Sequence, residues 1–282
     1  MPSIRLAKNI GFCSGVKRAI GIIEKYLSKN RREVYSLGPV IHNLQVIKQL
    51  EERNLCIVDS LDKVKDSSAV ILPSHGSPRH ILNIIKKRKL RLIDVTCPYV
   101  SSVQKICDRL YKQGLKVIIV GDRKHPEIKA LMDLAPDACV IEKIEDIKEN
   151  SFSHKKIGVI FQTTQAKDKF FEIVSKILQK NPEVSQAHIF NTICLDTARR
   201  QEEAKKLAKA VDALLVIGSS TSANTKRLCY IGRKINKRTY LVEKGIAPIK
   251  KILKDVKTVG LISGASTPAW LVKEIVRQIK ED

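Results

Sequence analysis

No run of about 18 apolar residues occurs, so nothing in the chain reads as a membrane-spanning helix. The first residues lack the unbroken apolar core of a secretory leader, because Cys13 and Gly15 interrupt it. The chain is therefore expected to be cytoplasmic, with no membrane partner. No Walker or Rossmann glycine fingerprint is present, which argues against a nucleotide cofactor. Aromatics are only 5%, leaving few platforms on which single-stranded nucleic acid could stack. Acidic residues are also scarce: 29 Asp and Glu face 52 Lys and Arg, for a formal charge of +23. Those cations are spread along the chain, with only short clusters such as Lys86-Lys87-Arg88-Lys89. A solvated basic surface, or attraction to an anionic substrate or acidic protein, explains that spread better than a nucleic-acid interface. There is no long linker or low-complexity segment.

What is present is a globular composition, 43% apolar over 282 residues, enough for two or three small domains. Seven cysteines, an odd number at wide spacings, point to reduced thiols or metal ligation rather than a disulfide framework. Three of them share one context. Cys13, Cys97 and Cys194 each follow a short strand and precede an amphipathic helix. The apolar stripes are Val16, Ile20, Ile23 and Leu27, then Val100, Val103, Ile106 and Leu110, then Ala204, Leu207, Ala208 and Val211 after a polar first turn. A helix N-terminus favours a thiolate. Three cysteines placed alike predict one shared metal centre with an open site; zinc on three Cys and an iron–sulfur cluster both satisfy that pattern. Cys56 and Cys139 fall in predicted strands and Cys107 and Cys229 in predicted helices, where free cysteine is a small buried hydrophobe.

The intervals between these cysteines hold the same alternation of strands and helices three times. The expected fold is α/β, with three pseudo-threefold-related units of parallel sheet. Unit one spans residues 14–97, unit two 98–194 and unit three 195–282, the last completed by a strand at Ile4 to Lys8 in residues 1–13. Ligands bind beyond the carboxyl ends of parallel strands. The residues following buried strands are His42 and His75, then His125, Glu127 and Thr163, then Ser222, Asn224 and Ser266. The Ser-, Thr-, Asn- and Gly-rich loops offer N–H and O–H donors that suit a diphosphate and equally fit ordinary turn chemistry. His80, His154 and His188 occupy no equivalent place and are read as background.

Several motifs resemble, in order and over essentially the whole chain, those of the 4-hydroxy-3-methylbut-2-enyl diphosphate reductase family. They are Gly11-Phe12-Cys13-Ser14-Gly15-Val16, Val40-Ile41-His42-Asn43, Ser74-His75-Gly76, Asp94-Val95-Thr96-Cys97-Pro98, His125-Pro126-Glu127, Gln162-Thr163-Thr164, Ile193-Cys194 and Gly264-Ala265-Ser266. The resemblance implies a trefoil of three α/β units around a central iron–sulfur cluster. It implies the last step of the methylerythritol phosphate route, a two-electron reductive dehydroxylation giving isopentenyl and dimethylallyl diphosphates. Carried over by position, Cys13, Cys97 and Cys194 would hold a [4Fe–4S] cluster, or a [3Fe–4S] cluster if degraded, with one iron open to the substrate hydroxyl. His42, His75, His125, Thr163, Ser222, Asn224 and Ser266 would bind substrate, and Glu127 would relay the proton. The implied partners are the diphosphate substrate and an acidic electron donor such as ferredoxin or flavodoxin. The alternative, from another class, is a basic nucleic-acid-binding protein with a structural metal. Three positions depart from the family pattern: Ala223 replaces a common Ser, Ala269 a common Asp and Ile10 a common Arg.

Overall fold

A computed structural model describes residues 2–30, 32–149 and 156–281. In chain order the strands and α-helices are β1 (Ser3–Leu6), α1 (Ser14–Lys29), β2 (Val34–Leu37), α2 (Leu44–Glu51), β3 (Leu55–Val58), β4 (Ala69–Leu72), α3 (Arg79–Lys87), β5 (Arg91–Asp94), α4 (Pro98–Lys112), β6 (Lys116–Val120), α5 (Pro126–Leu134) and β7 (Cys139–Ile141). They continue as β8 (Lys156–Phe161), α6 (Phe170–Gln179), β9 (Gln186–Ile189), α7 (Leu195–Ala210), β10 (Ala213–Ile217), α8 (Ala223–Ile235), β11 (Thr239–Val242), α9 (Lys250–Lys254), β12 (Thr258–Ser263) and α10 (Ala269–Lys280).

The strands form three four-stranded sheets, ordered β1-β12-β10-β11, β5-β4-β2-β3 and β9-β8-β6-β7. Every ladder is parallel. All three therefore share one topology: the strand that precedes a junction cysteine lies at an edge, and the two interior strands end in the loops that carry the polar candidates. The expected strand near Ile4 forms as β1 and pairs Ser3 with Thr258 through Leu6 with Leu261, completing the sheet built from the C-terminal third.

The interior strands are buried on both faces, which is why they read as unbroken apolar runs rather than alternating ones. Alternate residues of β10 serve two separate cores. Leu215 and Ile217 pack with α10 residues Leu271, Val272 and Ile275, whereas Leu214 and Val216 pack with Ala204, Ala208 and Leu228 of α7 and α8. In β6 the same split gives Ile118 and Val120 to one core and Val117 and Ile119 to the other. The edge strands β1, β5 and β9 are largely exposed.

The chain divides into two compact units. One comprises Met1–Lys17, Ile41–Gln49 and Cys194–Asp282, with the β1-β12-β10-β11 sheet. The other comprises Arg18–Val40 and Leu50–Ile193, with the remaining two sheets. Residues 41–49, which include His42 and most of α2, thus pack with the first unit although β2 and β3 on either side belong to the second.

Candidate active site

Each of the three cysteines stands immediately before a helix, and each backbone carbonyl accepts that helix's first hydrogen bond: from Lys17 N–H to Cys13 at 2.8 Å, from Ser101 to Cys97 at 2.9 Å and from Ala198 to Cys194 at 2.9 Å. Cys97 and Cys194 have nearly identical backbone angles, φ/ψ of −60/133 and −62/133. All three are half-buried free thiols. The Sγ of Cys13 accepts the Val16 N–H at 3.4 Å, the bond a thiolate at a helix N-terminus attracts. The other four lie in the expected elements, Cys56 in β3, Cys139 in β7, Cys107 in α4 and Cys229 in α8, but only Cys107 and Cys229 are buried; Cys56 and Cys139 are half-buried on edge strands. Burial pushes all four thiols up, to about 12 for Cys107 and about 11 for Cys229, which keeps them protonated. Among the described residues no three His, Cys, Asp or Glu side chains gather closely enough to chelate a metal ion.

In the first unit, His42, Ser222, Asn224 and Ser266 come from three loops. The loops after β10 and β12 approach so closely that a Cβ at Gly218 would lie 2.6 Å from Thr267 Oγ1, and one at Gly264 only 2.1 Å from Thr225 Oγ1. Glycine is required at both. Ser222 caps α8, its Oγ accepting the Thr225 N–H at 3.3 Å. Ser266 Oγ donates to the His42 carbonyl at 3.0 Å, tying the β12 loop to residues 41–49. His42 is held neutral, first by burial and then by the charge of Lys226. Asn224 is 3% exposed, and neither atom of its amide has a partner among the described residues. An orphaned buried amide costs about 1–3 kcal/mol, so Asn224 has hydrogen-bonding capacity that the described residues leave unused.

In the second unit, His125 caps α5, its Nδ1 accepting the Glu127 N–H at 3.2 Å. That bond places the ring proton on Nε2, making it a donor. The His125 and His75 rings lie 6.4 Å apart, edge to face. The His75 loop is fixed at both ends. The Ser74 carbonyl accepts the Cys97 N–H at 2.9 Å, and Asp133 of α5 caps α3, accepting the N–H groups of Arg79 at 2.6 Å and His80 at 3.3 Å. Glu127 is 2% exposed. Its carboxylate accepts the backbone N–H and the hydroxyl of Thr163, both at 2.8 Å. Among the described residues no cation pairs with it, and burial outweighs those two bonds and pushes its pKa up to about 7.

Three further residues shape the site; of these only Gln162 stood in a sequence motif, and with no role assigned to it. Gln162 joins two loops, its Oε1 accepting the Asp122 N–H at 2.9 Å and its Nε2 donating to Thr164 Oγ1 at 3.0 Å. Asp133 is the cap described above. Arg200 is a fully buried cation in α7 that binds the Asn9 and Gly11 carbonyls ahead of Cys13, at 2.8 and 2.9 Å. The available signal for Arg200 was the polar buried face of α7: Thr197, Arg200, Gln201 and Ala204 keep core spacing without core chemistry. Two of the three departures from the family pattern lie beside Gly11. The Cβ of Ala269 is 3.5 Å from where a Gly11 Cβ would stand, and Ile10 packs into both cores of the sheet. Of the background histidines, His80 bonds Asp133 and His188 bonds Gln186, while His154 lies outside the described residues.

A family model described as LytB protein matches residues 4–280. The 4-hydroxy-3-methylbut-2-enyl diphosphate reductase of Aquifex aeolicus is 38% identical over 287 residues, covering 100% of this chain and 97% of that protein. The reductase of the same name from Dictyoglomus thermophilum is 40% identical over 276 residues, covering 98% and 95%. A solved structure of (E)-4-hydroxy-3-methyl-but-2-enyl diphosphate reductase, the terminal enzyme of the non-mevalonate pathway, superposes with a TM-score of 0.73 at 36% identity over 100% of both chains. The structure of the corresponding reductase from Plasmodium falciparum gives a TM-score of 0.91 at 31% identity, covering 98% of this chain and 87% of that one.

Proposed function

The chain belongs to the LytB protein family, and from that membership we infer that it reductively removes the hydroxyl of 4-hydroxy-3-methylbut-2-enyl diphosphate, the terminal step of the non-mevalonate route to isoprenoids. Two electrons and two protons enter, and isopentenyl or dimethylallyl diphosphate and water leave. The nucleic-acid reading loses to this one.

The family implies an iron–sulfur cofactor. The donor set fits: three half-buried thiols stand at helix N-termini, one already accepting an amide hydrogen bond, whereas the other four lie within strands or helices. Cys13, Cys97 and Cys194 would hold the cluster, read as [4Fe–4S]. When bound, it supplies the reducing electrons and a Lewis-acidic iron. The observation that carries this reading is the equivalence of the three cysteines, each at the same helix-starting position after the edge strand of a sheet of the same order.

The remaining chemistry belongs to side chains. His42, kept neutral, and Ser222, Asn224 and Ser266 offer uncharged donors to the diphosphate. His75 and His125 are read as donors to the same group, His125 through Nε2–H. Glu127 carries the proton that lets the hydroxyl leave as water. Its pKa near 7 leaves a substantial protonated fraction at neutral pH, and Thr163 fixes both carboxylate oxygens. Cytoplasmic location suits the seven free thiols. Among the described residues no helix is long and apolar enough to cross a membrane. The electron donor is read as an acidic carrier, a ferredoxin or flavodoxin, attracted by the basic surface.

The test is iron content after anaerobic purification. Cys13→Ser, Cys97→Ser and Cys194→Ser should each lose iron and the broad brown absorption, whereas Cys56→Ala, Cys107→Ala, Cys139→Ala and Cys229→Ala should keep both. Wild-type iron in the Cys97→Ser protein would overturn the ligand set.

A further inference from the structure

We propose that the exposed face of α8 is the docking surface for the acidic electron carrier. The inference rests on the reductive reading above, because that reaction consumes two electrons that no residue of the chain can supply. It names where they are delivered.

Helix α8 contains Lys226, Arg227, Arg233 and Lys234 and no acidic residue, and Lys237 and Arg238 follow it. Lys226, Tyr230, Arg233 and Lys234 are exposed and follow one another at helical spacing, while Leu228, Cys229, Ile231 and Gly232 face the core. Tyr230, itself 46% exposed, is flanked by two cations: the Arg227 guanidinium 5.7 Å and the Lys234 ammonium 4.8 Å from its ring centre. Beside it, between α8 and β11, a cavity of about 400 Å³ is lined by Lys226, Cys229, Tyr230, Arg233, Lys234 and Leu241.

The helix dipole favours Arg233 and Lys234 in the last turn but does not account for the cation at the other end. Lys226 lies near the positive end of the helix dipole, where a cation is disfavoured, and no acid stands in the first turn. Some cations on other helices are taken up by acidic residues. Arg277 is held between Glu274 and Glu281, and Asp108 bridges Arg79 and Lys112. An aromatic anchor ringed by Arg and Lys beside a concave groove is what a carboxylate-rich protein surface recognises. A single exposed ring offers too little stacking for nucleic acid. The position also suits electron delivery. The helix begins at Ser222 and Asn224, and the Lys226 charge is already felt by His42. A carrier seated on this face therefore meets the helix whose first turn is proposed to hold the substrate.

The experiment uses the anaerobic, cluster-loaded protein and a small acidic [2Fe–2S] ferredoxin, with reduced methyl viologen as the chemical donor. The variants are Arg227→Glu with Lys234→Glu, and Tyr230→Ala; the control is Lys86→Glu with Lys87→Glu on α3. Neither Arg227, Tyr230 nor Lys234 belongs to the proposed catalytic machinery. The α8 variants should raise the KM for ferredoxin by about tenfold or more and flatten its salt dependence. Viologen-driven turnover should stay within about twofold, which also certifies folding. The α3 control should change neither. Binding of oxidised ferredoxin to the protein, read by titration calorimetry, should weaken in parallel and needs no turnover. Wild-type protein inert with viologen would count against the reductase reading, while the binding titration would still decide the docking face. An unchanged ferredoxin KM and affinity in the α8 variants overturns the proposal, as does equal loss in the α3 control. So does a result in which the α8 variants lose only affinity for an oligonucleotide.

Discussion

Two charged side chains, Arg200 in the first unit and Glu127 in the second, are each 2% exposed, and they are treated in opposite ways. Arg200 is surrounded by acceptors. Its Nε donates to Asp196 at 2.8 Å, and its terminal nitrogens reach the carbonyls of Asn9, Gly11 and Ser263 and the Ser263 hydroxyl. Glu127 is bonded by Thr163 alone and has no counter-cation among the described residues. A buried charge with a full shell of partners fixes geometry, because every alternative position costs desolvation. A buried charge with a partial shell has its proton affinity moved toward neutrality, and so becomes usable. The helix N-terminus at Glu127 favours the carboxylate, yet burial still raises its pKa to about 7. One unit uses a buried cation to hold a cysteine loop; the other leaves a buried acid whose proton affinity lies near neutrality.

The largest expected effect comes from emptying the filled shell. Arg200→Met should cost about 3–5 kcal/mol of stability, because Asp196 and several buried carbonyls lose their donor. Iron retention should fall with it, since the Asn9 and Gly11 carbonyls lie just ahead of Cys13 and α7 begins just after Cys194. Arg200→Lys keeps the charge but cannot span the same acceptors, so it should recover less than half of the loss. Urea midpoints and iron per chain measure both. A Met variant as stable and as iron-rich as wild type would dissolve the contrast.

Removing the poised acid should do the reverse: Glu127→Gln should keep iron and substrate binding while turnover drops by about 10²–10⁴-fold. It should also abolish a pH dependence of stability. Unfolded, Glu127 titrates near 4.5, and folded at about 7, so between those values the folded chain binds more protons than the unfolded one. Stability therefore falls as pH rises through that window, by an amount on the order of 3 kcal/mol from this residue. Above the window the Gln variant should be the more stable protein, an instance of activity purchased with stability. Urea midpoints at pH 5 and pH 8 separate the cases. Equal slopes in wild type and variant would mean that Glu127 is solvated after all.

This contrast explains what could be read in advance. The interior strands were legible because parallel strands buried on both faces are apolar throughout, as Ala69–Leu72 and Ala213–Ile217 are. The junction cysteines and the loop after each buried strand were legible because topology alone places them. Arg200 and Asp133 were not, because each acts on backbone groups far away in sequence, carbonyls for Arg200 and N–H groups for Asp133, and backbone groups leave no mark on composition. β11 (Thr239–Val242) went unread, since it is an edge strand set directly between charged residues, Arg238 and Glu243. The packing of residues 41–49 with the first unit was equally hidden, since it depends on contacts such as Ser266 with the His42 carbonyl and Gln45 with the Glu243 carbonyl.

The smallest effect tests the partial shell itself. Thr163 gives Glu127 two hydrogen bonds, and both favour the carboxylate, opposing burial. Thr163→Val removes the hydroxyl and keeps both the backbone N–H and the side-chain volume. A hydrogen bond to a charged group is worth about 1.5–3 kcal/mol, so its loss should move the Glu127 titration upward by about one pH unit. The alkaline limb of the turnover–pH profile, where the acid loses its proton, should move up with it. Turnover at the plateau should fall only a few-fold, because a weaker acid still transfers its proton. Thr163→Ser restores the hydroxyl and should restore the limb. If the hydroxyl acts only as a substrate contact, the Val variant would instead raise KM and leave the limb in place. That result would make Thr163 a binding group and leave burial as the sole control on Glu127.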